Sequence, residues 1–325
     1  MAHNILRHFR FIQTVILFTV MIGLIMAFQN AHAAQIKTLT LQSNEAGRPL
    51  TNVSINGAPT SALIDTGATI ALIDHKFFNE DVSDQANPEE TLILGIGGHR
   101  YYPIASLESL TVESQNWSDL SVAVNAAHGF PIKESVLPIA IFEESVVDFD
   151  FQNDQLLLYD GRPKRIRRAN ASRLRYSAIQ KLIFIEIKIN GVRGKALIDT
   201  GAQVSFVNPQ FAERSNARLS VEDTKRLRGS DLSNQIASIY TFKNLGIGDY
   251  DIASFKLPVL DTDLFDQLGF GDGPMMVLGM DVLKHSRLQI DRKRQRILIS
   301  FPDIDSNQPI STRSAGSRYG DFSRN

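Results

Sequence analysis

Apolar and polar residues alternate in several short stretches of this chain, and a two-residue period is typical of half-buried β-strands. The clearest stretch is 185–189, where Ile, Glu, Ile, Lys and Ile precede an Asn-Gly pair that predicts a tight hairpin. Residues 53–55 repeat the pattern more weakly before a second Asn-Gly pair. The apolar, β-branched stretches 69–73 and 204–207 predict two further strands.

Helix signals are few and short. One covers 209–215, which begins with a proline, and another covers 280–285, which follows a glycine. Because strand patterns outnumber these segments, the sequence predicts a mostly β protein with short helices.

Length and charge add broad limits. The chain has 325 residues, enough for two domains that each bury a core. Its 34 Lys and Arg residues almost balance its 35 Asp and Glu residues, so charge gives no reason to expect nucleic acid as a partner. The histidines have no metal-ligand spacing, and we expect neither a metal nor another cofactor.

The N-terminus has the pattern of a secretory signal. A positively charged start precedes an uncharged run over 11–28, and Ala-His-Ala ends at Ala33. We expect cleavage after Ala33 and export to a periplasm or the cell exterior. The alternative is an uncleaved anchor in the inner membrane, since the run approaches the ~20 residues that span a bilayer. The chain has no cysteine, so the exported part must rely on core packing.

A heptapeptide, Ala-Leu-Ile-Asp-Thr-Gly-Ala, occurs at 62–68 and again at 196–202. It places Asp65 and Asp199 in equivalent turns between apolar strands. A single Asp-Thr-Gly is most often a plain turn. Two copies in matching surroundings instead predict two carboxylates that an internal duplication brings face to face.

The similarity extends well beyond the heptapeptide. The first Asn-Gly hairpin matches the second at the same offset of 134 residues, and later segments match at an offset of 141. The second copy therefore gains seven residues, which we place in the loop 261–273. Such loops usually lie on the rim of a domain and vary freely.

The repeat divides the chain into five parts. They are a signal peptide over 1–33, a first lobe over 34–160, a basic linker over 161–175, a second lobe over 176–302 and a disordered tail over 303–325. The linker contains seven Lys and Arg residues and is interpreted as a solvated connector. Contact with anionic lipid and a processing site are the alternatives.

The two Asp-Thr-Gly-Ala loops resemble the catalytic loops of aspartic proteases of the pepsin-like and retropepsin-like type. Residues 277–281 are similar to the apolar-apolar-Gly segment that packs beneath such a loop. The resemblance covers nearly all of 36–301. It implies two homologous β-barrel lobes, with short helices, that form an intramolecular pseudo-dimer around one site.

The resemblance implies a catalytic role for Asp65 and Asp199, which would share one proton and activate a water molecule. It also implies supporting roles for the residues beside them. Thr66 and Thr200 would lock the two loops together through their hydroxyls. Backbone amides in these loops, those of Gly67 and Gly201, would face the carboxylates.

Ala68 and Ala202 close the two copies where pepsin-like enzymes usually carry Ser or Thr. A hydroxyl at this position stabilises the ionised Asp, and alanine has no side-chain donor. Loss of the donor raises the pKa values of the pair. We therefore expect activity at weakly acidic to neutral pH.

Two hairpins, over 94–107 and 228–242, are candidates for flaps that hold an extended peptide substrate. The candidate flap residues are Gly97, Gly98, Tyr101 and Tyr102 in the first hairpin and Tyr240 in the second. Packing within a half-buried strand is the alternative for each tyrosine.

The first lobe departs from the family pattern at two positions. Pro138 stands where the second lobe has Gly279, and Ala140 stands where it has Asp281. Proline lacks an N–H donor, so the loop beneath Asp65 cannot copy its counterpart in detail. The sequence does not determine the detailed geometry of this loop.

Three functional interpretations follow. The first is a monomeric aspartic endopeptidase that acts on peptides or proteins, with membrane contact only if the N-terminal segment stays uncleaved. The second is a protease whose second lobes pair between chains. The third is a peptide-binding or scaffold protein that keeps the fold without cleaving.

Overall fold

The computed structural model describes residues 35–78, 89–126, 133–166 and 171–301. The predicted signal peptide and the predicted tail after residue 302 lie outside these residues. Within the described ranges, no helix combines the length and the apolar character needed to cross a membrane.

Strands dominate the first half of the described chain, in agreement with the alternating pattern. They are β1 Lys37–Thr40, β2 Gln42–Ser43, β3 Pro49–Ile55, β4 Ala58–Asp65, β5 Leu72–Asp74, β6 Glu90–Gly95, β7 Gly98–Val112, β8 Gln115–Asn125, β9 Ser135–Pro138, β10 Val146–Asp150 and β11 Gln155–Tyr159. Short 3-10 turns follow β5, β9 and β10.

The second half has the same character. Its strands are β12 Ser172–Ile179, β13 Leu182–Ile189, β14 Val192–Ile198, β15 Phe206–Val207, β16 Arg218–Arg228, β17 Asn234–Ile247, β18 Tyr250–Val259, β19 Met275–Leu278, β20 Arg287–Asp291 and β21 Arg296–Ser300. The helices are α1 Pro209–Arg214, α2 Leu264–Gln267 and α3 Met280–Leu283. The two predicted helices are therefore confirmed, with α1 capped by the side chain of Asn208.

The two Asn-Gly pairs form the predicted hairpins. Asn56 and Gly57 have φ values of 47° and 78°, and Asn190 and Gly191 have φ values of 49° and 83°. Both residues of each pair are thus left-handed, as a two-residue turn of type I′ requires. The sequence placed the strands after each acid too early, because β5 begins only at residue 72 and β15 at 206. The intervening residues include the two Asp-Thr-Gly turns, which are hydrogen-bonded to each other.

The same strand pairings occur in both halves. β4 runs parallel to β9, β9 pairs antiparallel with β5, and β5 runs parallel to β8. β14, β19, β15 and β18 repeat these pairings in the same order. The strand that leads into each Asp-Thr-Gly turn is consequently paired on both edges, with β3 and β9 in the first half and β13 and β19 in the second. This double pairing holds the turn at a defined position.

An antiparallel group of six strands, part of a 13-stranded sheet, connects the halves. Its strand order is β1-β11-β10-β20-β21-β12, and β10 pairs with β20 across the two halves. β12 begins at Ser172, inside the predicted linker, and continues the sheet by pairing with β21. The linker interpretation is therefore wrong for 172–175. The side chain of Ser172 is buried and donates a 2.8 Å hydrogen bond to Asp249, which fixes the start of the strand.

A buried ion network crosses the centre of this group of strands. Arg287 on β20 donates from Nε and Nη2 to the two carboxylate oxygens of Asp148 at 2.9 and 2.8 Å, and its Nη1 lies 3.0 Å from Asp150. Asp148 is fully buried and also accepts hydrogen bonds from Gln289 at 2.8 Å and Tyr159 at 3.2 Å. Since both carboxylates lie on β10, the arginine links the halves electrostatically.

We expect Arg287→Leu to lower the free energy of unfolding by about 3–5 kcal/mol, because it leaves buried carboxylates without their cation. Urea unfolding of the full chain measures this loss. The control is Lys293→Leu, which removes an exposed pair with Asp160 at 3.8 Å. That change should cost less than about 1 kcal/mol. Equal losses for the two variants would show that the network does not stabilise the interface.

Candidate active site

Reciprocal hydrogen bonds join the two Asp-Thr-Gly turns. The Thr66 hydroxyl donates to the carbonyl of Ile198 at 2.7 Å and accepts from the backbone N–H of Thr200 at 3.0 Å. The Thr200 hydroxyl donates to Ile64 at 2.7 Å and accepts from Thr66 at 3.0 Å. Both threonines are buried. Each turn therefore provides hydrogen-bond partners for the other, and this brings Asp65 and Asp199 close together.

Gly67 and Gly201 occupy positions where no side chain fits. A Cβ atom at Gly67 would lie 2.6 Å from Cγ of Asp199, and one at Gly201 would collide with the carboxylate of Asp65. Each glycine also donates its backbone N–H to the acid of its own turn, at 2.6 Å to Asp65 and 2.8 Å to Asp199. Each carboxylate thus lies against the opposite turn.

The two acids differ in their surroundings. Burial raises the pKa of Asp65 well above its ordinary value, and the negative charge of Asp199 raises it further. Burial also raises the pKa of Asp199, but hydrogen bonds from the backbone amides of Ala202 and Gly201 oppose this shift. The amide of Ala202 donates at 3.0 Å, although its side chain has no donor. Among the described bonds, Asp199 thus accepts two backbone hydrogen bonds that favour its ionised form, and Asp65 accepts one.

Arg48 is a residue of the site that the sequence did not reveal. It precedes β3 and is half-buried, and its Nη1 donates to the carbonyl of Gly201 at 3.5 Å. Burial lowers the pKa of Arg48, while Glu134 and the two catalytic candidates, Asp65 and Asp199, favour its charged form. At the offset of the repeat its counterpart is a leucine, so this cation belongs to one copy alone.

The turn beneath Asp199 is held by a small polar network. The Ser205 hydroxyl donates to Asp281 at 2.5 Å and accepts from the backbone N–H of Gly279 at 2.9 Å. The backbone N–H of Ser205 donates to the same carboxylate at 2.9 Å. Burial raises the pKa of Asp281, and the two bonds from Ser205 oppose that shift.

The first half replaces every member of this network. Its equivalents are Ala71, Pro138 and Ala140. Proline has no N–H to satisfy, and the two alanines have no polar side-chain atoms, so the three exchanges are mutually consistent. Ala71 is buried against the apolar core. The departure at Pro138 is thus one part of a coordinated change from polar to apolar support.

An arginine from the second half supports the turn after Pro138. The guanidinium of Arg292 donates hydrogen bonds to the backbone carbonyls of Ile139 and Phe142, and to that of Glu144 at 3.3 Å. Burial lowers the pKa of Arg292. The sequence-based prediction missed this residue, because nothing in the repeat indicates that its side chain reaches the other lobe.

A cleft of about 740 Å³ lies above the two acids. Its walls include both Asp-Thr-Gly turns and the two predicted hairpins, formed by β6 with β7 and by β16 with β17.

The tips of the two hairpins are joined by hydrogen bonds. Gly97 donates from its backbone to Asp231 at 3.0 Å, and Tyr102 donates from its hydroxyl to the carbonyl of Ser230 at 2.6 Å. The hydroxyl of Ser230 donates in return to the carbonyl of Leu94 at 3.0 Å.

The predicted flap residues do not themselves line the described cleft. Tyr102 is buried between the hairpins, Tyr101 is 55% exposed and stacks edge-on with His99, and Tyr240 packs against the core. Gly97 and Gly98 form the tip. The lining residues of the first hairpin are instead Leu92, Ile93, Leu94, Gly95 and Ile96. The lining residues are consecutive and belong to β6 and the start of its turn, whereas Tyr101 and Tyr102 lie on the paired strand β7. The sequence predicts the hairpin but does not show which of its two strands meets the cleft.

Comparisons with known proteins agree with this geometry. Residues 51–137 match a family model described as "Aspartyl protease", and residues 185–285 match one described as "gag-polyprotein putative aspartyl protease". The comparisons support an aspartic protease family. Each aspartyl-protease-like domain contains one Asp-Thr-Gly turn, with Asp65 in the first and Asp199 in the second.

Two proteins similar in sequence to this chain come from Chaetomium globosum and Homo sapiens. DNA damage-inducible protein 1 of Chaetomium globosum is 28% identical over 141 residues, which is 42% of this chain and 30% of that protein. Protein DDI1 homolog 2 of Homo sapiens is 28% identical over 119 residues, which is 36% of this chain and 27% of that protein. The match thus spans less than a third of either relative's length.

The polar network beneath Asp199 predicts strong coupling between its members. We expect Ser205→Ala to lower the free energy of unfolding by about 1–3 kcal/mol, since it leaves buried groups unpaired. Combining it with Asp281→Ala should cost less than the sum of the single changes, by about 0.5–3 kcal/mol. The measurement is a double-mutant cycle by urea unfolding. Additive losses would contradict the network.

The reverse exchange at the equivalent position of the first half, Ala71→Ser, should also destabilise the protein, because the new hydroxyl gains no partner.

The raised pKa values of the acids predict a pH-dependent stability. Because the folded-state pKa of Asp65 lies above the ordinary value of 3.8, its stabilising contribution is complete below that pH and is lost as pH rises through the folded-state pKa. We therefore expect Asp65→Asn to gain stability relative to the unchanged protein between about pH 4 and 8. Thermal melting across this range measures the gain. Asp261→Asn, an exposed exchange, is the control; identical curves for both variants would contradict the raised pKa.

Proposed function

We propose that this protein is a single-chain aspartic endopeptidase in which two retropepsin-like β-barrel lobes form a pseudo-dimer around Asp65 and Asp199. The observation that carries the proposal is the reciprocal pair of bonds between Thr66 and Thr200. These bonds join the two turns within one chain, beneath a cleft of about 740 Å³. The matching strand pairings in both halves support an origin by internal duplication.

The proposed reaction uses the difference between the two acids. The ionised carboxylate of Asp199 accepts a proton from a water molecule, which attacks the carbonyl carbon of the peptide bond. The protonated carboxyl of Asp65 donates a hydrogen bond to the carbonyl oxygen and stabilises the charge that develops there. The proton taken up by the dyad then passes to the departing nitrogen. The reaction releases a carboxylic acid and an amine.

The reaction requires one proton on the dyad, so activity lies between the two macroscopic pKa values of the pair. Burial raises the pKa values of both acids, and the charge of Asp199 raises that of Asp65 further. The alanines at 68 and 202 supply no hydroxyl that would lower them. The positive charge of Arg48 acts in the opposite direction. We propose that the net result is activity at weakly acidic to neutral pH.

Two other interpretations are less well supported. Pairing of second lobes between chains would need Thr200 to bond a second copy of itself, but its partner here is Thr66 of the same chain. A binding module would have no use for two buried acids, which cost stability. Both acids are present, and their pairing supports a monomeric enzyme that acts on extended peptides or proteins.

The proposed place of action is outside the cytoplasm. The support is the sequence pattern of residues 1–33, with a charged start, an apolar run and Ala-His-Ala. A periplasm or the extracellular medium fits the absence of cysteine, since the chain does not depend on disulfides.

The test is cleavage of a peptide library by the full chain from about pH 2 to about pH 8, on both sides of the ordinary Asp pKa, beside Asp65→Asn and Asp199→Asn. We expect each exchange to lower kcat/KM by about 10²- to 10⁴-fold, because each acid takes part in proton transfer. Asp261→Asn should retain the activity.

Two outcomes would contradict the proposal. If either dyad variant cleaves at the rate of the unchanged protein, the two acids do not form one site. A maximum of activity below about pH 3, beneath the ordinary Asp pKa, would contradict the pH prediction.

Titration of the active site with a pepstatin-like inhibitor is a separate test. It should reach one inhibitor per chain, and one inhibitor per two chains would favour the intermolecular alternative.

A further inference from the structure

The two hairpins that cover the cleft differ in charge. At the offset of the repeat, the outer strand of the first hairpin has the sequence Thr-Leu-Ile-Leu over 91–94, and that of the second has Lys-Arg-Leu-Arg over 225–228. Residues 92–94 of the first stretch and all four residues of the second line the same cleft. One wall is therefore uncharged and mostly apolar, and the other is cationic.

The side chains of the second hairpin divide between packing and exposure. Leu227 packs against the same buried apolar cluster as Leu94 and Ile96 of the first hairpin. Arg226 and Arg228 are exposed and flank that leucine. Leu227 thus anchors the strand at the cleft, while its two neighbours keep their charge in solvent beside the space that a peptide would occupy.

The charge of the described cleft lining is strongly one-sided. The cations are Arg48, Lys225, Arg226 and Arg228, and the carboxylates are Asp65 and Asp199. The two carboxylates share a proton in the reactive state, so they contribute about one negative charge. A peptide that enters this cleft meets a net positive potential on the side of β16.

We propose that the cleft selects peptides that carry Asp or Glu on the side of the scissile bond that contacts β16, and apolar residues on the side of β6. This inference rests on the proposed function and names the substrate class of the same site. An extended peptide bound through its backbone presents side chains to both walls, so the contrast between the walls also sets the direction in which the peptide binds.

The expected size of the preference follows from the exposure of the arginines. An exposed ion pair typically favours binding by less than about fivefold, so one Glu carboxylate that interacts with both arginines gives a preference of about two- to tenfold. Salt at about 1 M reduces the screening length to about 3 Å and should remove most of the preference. A steric or hydrogen-bonding preference would persist at high salt.

The experiment uses peptide pairs that differ only by Glu or Gln at one position on either side of the scissile bond. For the full chain at low salt, kcat/KM should be about two- to tenfold higher for Glu on one side only. In the double variant Arg226→Gln/Arg228→Gln, the ratio of kcat/KM for the Glu peptide to kcat/KM for the Gln peptide should fall towards one. The charge-matched control Lys188→Gln/Lys243→Gln changes two exposed lysines outside the cleft lining and should keep the ratio.

The outcomes separate this inference from the proposed function. Equal cleavage of Glu and Gln peptides, still abolished by Asp65→Asn, overturns the inference and leaves the proposed function intact. If no peptide is cleaved, the proposed function fails, and the dissociation constants of the same peptides with a reduced, uncleavable bond decide the inference. Equal dissociation constants for Glu and Gln peptides overturn the inference. Tighter binding of the Glu peptides supports it if Arg226→Gln/Arg228→Gln abolishes the difference.

Discussion

Two carboxyl groups that share one proton must lie side by side where water reaches them poorly, and much of this structure follows from that requirement. The reciprocal bonds between Thr66 and Thr200 meet it by making each turn complete only in the presence of the other. The glycines that follow the threonines allow the contact, since any side chain there would displace the opposite carboxylate. The threonine bonds and the two glycines together bring the acids into contact.

The rest of the fold keeps these turns in register. Each lies at the end of a strand that is paired on both edges, and one antiparallel group of strands continues from the first half into the second. The ion network around Arg287 lies in that group and joins strands from the two halves. Displacement of one half against the other would therefore break buried charge pairs as well as the threonine bonds.

The two halves share their strand pairings but not their polar interactions. The second half supports its acid with Ser205 and Asp281, whereas the first uses apolar residues and receives help from Arg292 of the second. Among the described bonds, Asp199 accepts hydrogen bonds from two backbone amides and Asp65 from one. Arg48 of the first half has no equivalent cation in the second. A symmetric pair would have no intrinsic preference for the position of the proton. The proposed division of roles between the acids, and the proposed direction of the substrate, both depend on this asymmetry.

The comparison of sequence with structure separates local from distant information. Alternation and the Asn-Gly pairs predicted the strands and hairpins well, because side-chain period and turn conformation are properties of adjacent residues. The predicted linker was wrong at 172–175, where pairing with a strand more than 120 residues later extends the sheet. Arg48 and Arg292 were missed for the same reason, since a side chain's reach across an interface leaves no local pattern.

By itself, the sequence determined that two equivalent acidic turns exist, that strands surround them and that the two copies differ at Pro138. Only the tertiary structure decided which acid receives more hydrogen bonds, which hairpin residues face the cleft and why the proline is tolerated. The physical reason is that pKa values and cleft walls depend on burial and on charges brought together from distant parts of the chain. A repeated motif specifies which groups are present, and their energies arise from what packs around them.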